Sequence, residues 1–269
     1  AEQLLSGLED LDWSDAIKSM QKNWIGRSEG ANVVFPLAKG EGEIEVFTTR
    51  PDTIFGVSFM TLAPEHELVL KITSPEHRKE VEAYIEATSR RSERDRMADV
   101  KRITGAFTGA YAEHPFTGVA VPIWIGDYVL AGYGTGAVMS VPCGDQRDYD
   151  FAKHFGIPIP NIFEGVSVEE EAFEDKGSAV IANSDFITGL NQKEASRKVI
   201  EALETKGQGR GKVNYRLRDA VFSRQRYWGE PFPVYYDAEG LPRLIPENRV
   251  LTCTWSGPGA PSVSASSSP

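Results

Sequence analysis

The sequence predicts a mixed α/β fold: a β-barrel-like core of short strands surrounded by helices. Two observations predict it. Between residues 103 and 141 the chain runs through short apolar stretches punctuated by glycine and proline. On both sides of that region the apolar residues fall at helical spacing. Strands and helices do not alternate regularly, which argues against a regular βαβ array. No internal repeat is visible.

The elements follow in order. Leu4, Leu5, Leu8, Leu11, Ile17, Met20 and Trp24 keep an approximately helical beat over residues 2–24, and Asp12 or Ser14 could cap a break inside it. "ANVVFPL" and "GEIEVFTT" read as two strands joined by a turn at Lys39-Gly40. "GVSFMTLAP" is a third strand. "PEHELVLKI" and "SPEHRKEVEAYIEATSRRSERDR" read as helices, the second with Ser74 and Pro75 at the cap and first-turn positions. "AFTGAYAEH", "GVAVPIWIGDYVL" and "TGAVMSVP" are the short β runs. "GDQRDYDFAKHFG" is a helix with an acidic first turn and a basic last turn, as the helix dipole favours. "NQKEASRKVIEALETKG" is the last helix. "SGPGAPSVSASSSP" is low in complexity, is expected to be disordered, and reads as a cloning remnant.

The totals bound the function. The 269 residues are 41% hydrophobic, enough for a buried core. No apolar run approaches the roughly 20 residues of a membrane span, and no signal peptide is visible. Cys143 and Cys253 stand far apart with no CxxC pair, which supports neither a zinc ribbon nor a disulfide framework and fits a reducing compartment. The net charge of −10 argues against a protein that coats nucleic acid with its whole surface. The charge is uneven: "GRGKVNYRLRDAVFSRQR" carries Arg210, Lys212, Arg216, Arg218, Arg224 and Arg226. That segment is either a local phosphate contact or a solvated charged face.

Two stretches carry candidate chemistry. In "EVFTTRPDTIFG", residues 45–56, Thr48, Thr49, Arg50, Asp52 and Thr53 gather hydroxyls, a guanidinium fork and a carboxylate at an expected strand end. In "GYGTGAVMSVPCGDQRDYDFA", residues 132–152, the glycines alternate as G-x-G-x-G. This fails the dinucleotide fingerprint, and there is no G-x-x-x-x-G-K. The glycines serve a tight turn or a close backbone approach to a ligand. Asp145 and Asp148 lie three apart in the first turn of the next helix and share a face. Each reads as a helix cap by default. Together, beside a glycine-rich strand end, they suit a positive group such as an ammonium. Cys143 precedes that helix, but His66, His77, His114 and His154 offer no evident partner for a cysteine hydrolase, and an inert buried thiol is the stronger reading.

The two stretches together are specific. "TTRPDTIFG", followed about 80 residues later by "YGTGAVMSVPCGDQRDYDFA", resembles the editing domain of leucyl-tRNA synthetase of bacterial type. The flanks agree: "MQKNWIGRSEGA" looks like the hand-over from the synthetase core, and "RLRDAVFSRQRYWGEPFPV" like the return. The resemblance implies a helical lead-in over 1–24, an editing domain over 25–216, a return segment over 217–247 and a tail over 248–269. The HIGH and KMSKS signatures of the synthetic site are absent from these residues.

The resemblance implies hydrolysis of the ester of misacylated tRNA. Thr53 would be the gate that clashes with the branched end of leucine. Asp148 would anchor the substrate's α-ammonium, with Asp145 beside it in the substrate-binding set. Thr48 and Thr49 would line the pocket and place the ester or the attacking water. Arg50 and Asp52 would support the loop and the tRNA end. Tyr133, Met139 and Val141 would flank the terminal adenosine or the side chain. No cofactor or metal is expected for editing, while the parent ligase would use ATP, leucine and tRNA. The expected partners are the acceptor end of the leucine tRNA and the rest of the synthetase, in a cytoplasmic monomer with no membrane association. Many members of the family read Gly-His where this chain has Cys143-Gly144, so a histidine contact would be missing. Two other readings stay open: an acceptor-end binding module inactive in isolation, and the editing domain of an isoleucyl or valyl relative.

Overall fold

The structure, a computed structural model, describes residues 1–92, 95–96, 102–131, 134–174, 177 and 179–217, together with four short strands beyond them. The chain divides into two compact units, Ala1–Arg216 and Leu217–Pro269. The described part of the second unit comprises two antiparallel hairpins, Val234–Tyr236 with Pro242–Leu244 and Leu251–Thr254 with Ser262–Ala265. The last of these strands falls inside the stretch expected to be disordered.

The first unit has the expected mixed α/β class, built on two sheets. The first sheet is antiparallel, with β1 (Arg27–Pro36) between β2 (Glu43–Thr48) and β7 (Gly209–Tyr215). Its pattern is period-two: Ile44 and Val46 are buried while Glu43 and Glu45 face solvent. The second sheet has the order β4 (Gly105–Glu113), β5 (Ala120–Gly126), β3 (Phe59–Leu62), β6 (Ala137–Ser140). β3 runs parallel to β5; the other neighbours are antiparallel. The bridge Leu37–Ala112 ties the sheets together at one corner. Among the described residues the strands form no closed barrel; the core is the apolar layer shared by the two sheets, with Val33, Phe35, Ile44, Val46, Met60 and Ile123 in its centre.

Some boundaries differ from expectation. The leading helix breaks, with Ser14 at the N-cap position that the sequence allowed, into α1 (Glu2–Gly7) and α2 (Asp15–Ile25). Its apolar residues Leu4, Ile17, Met20 and Trp24 are exposed. "PEHELVLKI" contains only the single turn α3 (Val69–Ile72). The following helix, α4 (Arg78–Ser89), starts a turn later than Ser74-Pro75 suggests: Ser74 opens a separate turn, its carbonyl accepting from His77 N–H at 3.1 Å, and His77 takes the N-cap position of the helix. β7 was not foreseen: its charged residues read as a phosphate contact or a solvated face and not as a strand, yet its backbone completes the first sheet, and Arg210 and Lys212 are exposed.

Two helices complete the unit. α5 (Gln146–Phe155) is capped by Asp145 and ends at Gly156. It lies on the outer face of the second sheet, where Phe151 stacks on Phe59 at 5.0 Å. α6 (Gln192–Lys206) is capped by Asn191, whose side chain accepts from Glu194 N–H. Its buried face, Ala195, Val199 and Leu203, follows helical spacing.

Candidate functional site

The first motif folds into a tight clamp. β2 ends at Thr48, and a 3-10 turn, Pro51–Gly56, follows. Thr48 Oγ1 accepts from Arg50 N–H at 3.0 Å. The Arg50 guanidinium grips Asp52 side-on, Nε to Oδ1 at 3.0 Å and Nη2 to Oδ2 at 2.8 Å. Asp52 is 0% exposed, and Ser196 of α6 also donates to its Oδ1 at 3.3 Å. Thr53 is 5% exposed; its N–H and its hydroxyl both reach the Arg50 carbonyl, at 3.1 and 2.9 Å. The threonines therefore divide their work. The Thr53 hydroxyl proton is used inside the turn, so the methyl group is the part of that side chain left to meet a ligand sterically. Thr48 is half-buried and keeps its own hydroxyl proton, and Thr49 is exposed.

The second motif folds into a strand, a turn and a helix start. Gly134 and Gly136 both have positive φ, 68° and 71°, and Gly136 receives Ala63 N–H on its carbonyl. Both described glycines sit in a turn whose left-handed backbone glycine favours. β6 then runs into Val141. The Val141 carbonyl accepts from Gly144 and Asp145 N–H, while its own N–H donates to Asp148 Oδ2 at 2.8 Å. Asp145 is the exposed cap of α5: its Oδ1 accepts from Arg147 and Asp148 N–H. Asp148 is not the exposed first-turn residue that its position suggests. It is 9% exposed, because it shares the inward helix face with Phe151 and Ala152 at three- and four-residue spacing.

A hydroxyl network surrounds that carboxyl. Tyr128 donates to Asp148 Oδ1 at 3.4 Å and meets Thr61 Oγ1 at 3.0 Å, and Thr61 meets Ser140 Oγ at 3.1 Å. Tyr128 is held in place by the buried Arg96, which donates to the carbonyls of both its neighbours, Asp127 and Val129, at 2.7 Å. Burial, and then the charge of Asp145, push the Asp148 carboxyl up to about 7. Burial, and then Asp148, push the Tyr128 phenol well above its ordinary range. Asp148 is thus a carboxyl short of positive charge, and an arriving ammonium would favour its ionised form.

The two motifs meet. Gly56, which closes the Thr53 turn, packs so tightly that an added Cβ would lie 3.0 Å from Val141 Cγ1 and 3.1 Å from Cys143 Sγ. Ser58 N–H bonds to the Ser140 carbonyl, and Phe59 pairs with Ser140. Both the Thr53 turn and the Asp148 carboxyl are therefore fastened to the same strand end, Val141–Cys143. Met139 and Val141 are buried there in the main core. Tyr133 lies outside the described residues. Cys143 is a core residue: burial pushes its thiol up to about 11, which leaves it protonated and inert. Sequence reading missed Tyr128, Thr61, Ser140, Arg96 and Ser196. Each is a common polar residue on another element, and its role is set by packing; no local pattern marks it.

Comparison with known proteins decides the family. The profile described as leucyl-tRNA synthetase, editing domain, matches residues 22–204. The chain belongs to that family. A leucine–tRNA ligase of Christiangramia forsetii is 68% identical over 247 residues, covering 92% of this chain and 26% of the relative. One of Flavobacterium johnsoniae is 66% identical over 250 residues, covering 91% and 26%. This leucyl-tRNA synthetase editing domain thus spans about a quarter of the length of those relatives. A solved structure, the ternary complex of Agrobacterium radiobacter K84 agnB2 LeuRS with tRNA and LeuAMS, matches with a TM-score of 0.70 at 33% identity, over 97% of this chain and 30% of that one. The family is the leucyl one, which sets aside the isoleucyl and valyl readings. Among the described residues no helix is long and apolar enough to cross a membrane.

Proposed function

We propose that this domain performs post-transfer editing: it hydrolyses the ester of misacylated leucine tRNA, such as norvalyl- or isoleucyl-tRNA, and spares leucyl-tRNA. The observation that carries the reading is the fastening of the Thr53 turn and the Asp148 carboxyl to one strand end, in a chain of the editing family. The need is physical. A hydrophobic synthetic pocket separates side chains differing by one methylene by only about 1–3 kcal/mol, so a second site must reject what the first admits.

In this reading Asp148 takes the substrate's α-ammonium, exchanging a buried carboxyl's desolvation for a charge-assisted pair. The Thr53 methyl, held by its own hydroxyl bond, excludes the branched end of leucine. Thr48, with a free hydroxyl proton, and Thr49, open to solvent, place the ester and a water. The water oxygen bonds to the ester carbon, the bond to the ribose oxygen breaks, and the products are the free amino acid and the tRNA hydroxyl. Arg50, Asp52 and Asp145 hold the frame, and Met139, Val141 and Tyr133 flank the ligand. No cofactor enters this reaction; ATP belongs to the ligase as a whole. The partners are the acceptor end with its terminal adenosine and the remainder of the synthetase, as a cytoplasmic monomer.

The test is deacylation by the chain. Release of norvaline from norvalyl-tRNA, with leucyl-tRNA left intact, is the expected result; equal cleavage of both would refute the gate. A second reading, an acceptor-end binding module without turnover, draws support from the chain's quarter-length coverage of its relatives. Binding of a non-hydrolysable norvalyl-adenosine without deacylation selects it.

A further inference from the structure

We propose that His114 is a positioning residue that sets the Thr53 gate, and through it the discrimination between norvalyl and leucyl groups. The inference rests on the editing reading and adds a residue to it. His114 follows β4 and is 5% exposed. Its Nδ1 lies 3.2 Å from both Phe116 N and Thr117 N, and its Nε2 lies 3.0 Å from the Ile54 carbonyl oxygen. Backbone N–H groups only donate, so Nδ1 accepts. The proton therefore sits on Nε2 and is donated to Ile54.

Ile54 is the residue after Thr53, inside the same 3-10 turn. The turn is held from three sides. Ser196 reaches Asp52, the Val141–Cys143 strand end packs on Gly56, and His114 holds the carbonyl between them. The imidazole is wedged between Phe35 at 6.3 Å and Phe55 at 5.6 Å, so it moves little. Burial lowers its basicity, which keeps the ring neutral and the tautomer fixed; Lys206, bonded to the Pro115 carbonyl nearby, acts in the same direction. Rejection of leucine depends on where one methyl group stands. A clamp on the adjacent carbonyl fixes that position without touching the ligand, and its loss blunts selectivity before it affects chemistry.

Two substitutions separate this role from general packing. His114→Asn keeps an acceptor near Phe116 and Thr117 but has no donor for Ile54; His114→Gln keeps a donor for Ile54 and lacks the local acceptor. The readout is the ratio of Kd values for non-hydrolysable norvalyl- and leucyl-amide analogues of adenosine. His114→Asn is expected to narrow the wild-type ratio roughly tenfold, the scale of one methylene's discrimination, while His114→Gln stays close to wild type. An unchanged ratio in His114→Asn, or an equal loss in both variants, overturns the proposal. The ring's tautomer, read by nitrogen NMR on the unmodified chain, is an independent check: Nε2–H is expected, and Nδ1–H overturns it. If the wild-type chain binds neither analogue, the editing reading fails, and the tautomer still decides whether His114 clamps Ile54.

Discussion

Replacing Asp148 by asparagine is expected to make the protein more stable, increasingly so as pH rises. The buried carboxyl is raised from an ordinary 3.8 to about 7. Below about pH 4 the group is protonated in both folded and unfolded chains, and folding loses nothing there. Between about pH 4 and about pH 7 the unfolded chain releases its proton first, so the wild type loses stability as pH rises; above about pH 7 both forms are ionised and the loss levels off. The difference of about three pH units, at about 1.4 kcal/mol each, is on the order of 4 kcal/mol. Asparagine has no proton to release, and its side-chain oxygen can still accept from Val141 N–H, the bond that Asp148 makes at 2.8 Å. Denaturant unfolding of both proteins at about pH 5 and about pH 8 measures the effect, which should favour Asp148→Asn by about 3 kcal/mol more at the higher pH. A stability difference that does not change with pH would falsify the buried-carboxyl argument. The variant also isolates function. It removes the charge that meets the ammonium, so deacylation should fail in a protein that is folded at least as firmly as the wild type at about pH 8.

Thr53→Ala removes the methyl that the turn presents and should release leucine from leucyl-tRNA while norvalyl-tRNA is still cleaved; continued sparing of leucyl-tRNA would refute the gate. Asp145→Ala deletes the cap that accepts from Arg147 and Asp148 N–H, and should cost about 1 kcal/mol in chemical denaturation. No measurable loss would show that the cap bonds contribute nothing to folding. Gly56→Ala puts a Cβ 3.0–3.1 Å from Val141, Cys143 and Ile162, and overpacking there should cost about 1–3 kcal/mol and weaken analogue binding together with stability. Unchanged melting and binding would mean that the two motifs are not packed as tightly as described.

The local elements were legible because each is written in a short window. β2 shows its alternation in Ile44 and Val46, and α6 shows its face in Ala195, Val199 and Leu203. The glycine turn before β6 and the cap at Asp145 follow from backbone rules that need no distant partner. β7 was missed for the opposite reason: its exposed charged side chains carry no strand pattern, and β1 supplies the pairing from nearly two hundred residues away in sequence.

By itself the sequence determined which groups exist and which stretches pair them: the threonine turn, the glycine strand end and the two aspartates, together with the family they imply. The tertiary structure decided what state those groups are in. Packing buried Asp148 beneath α5 and raised its carboxyl, and it set Tyr128 and His114 beside groups more than a dozen residues distant in the chain. Burial and hydrogen bonding depend on what surrounds an atom in space, and a linear pattern records only what lies beside it along the backbone.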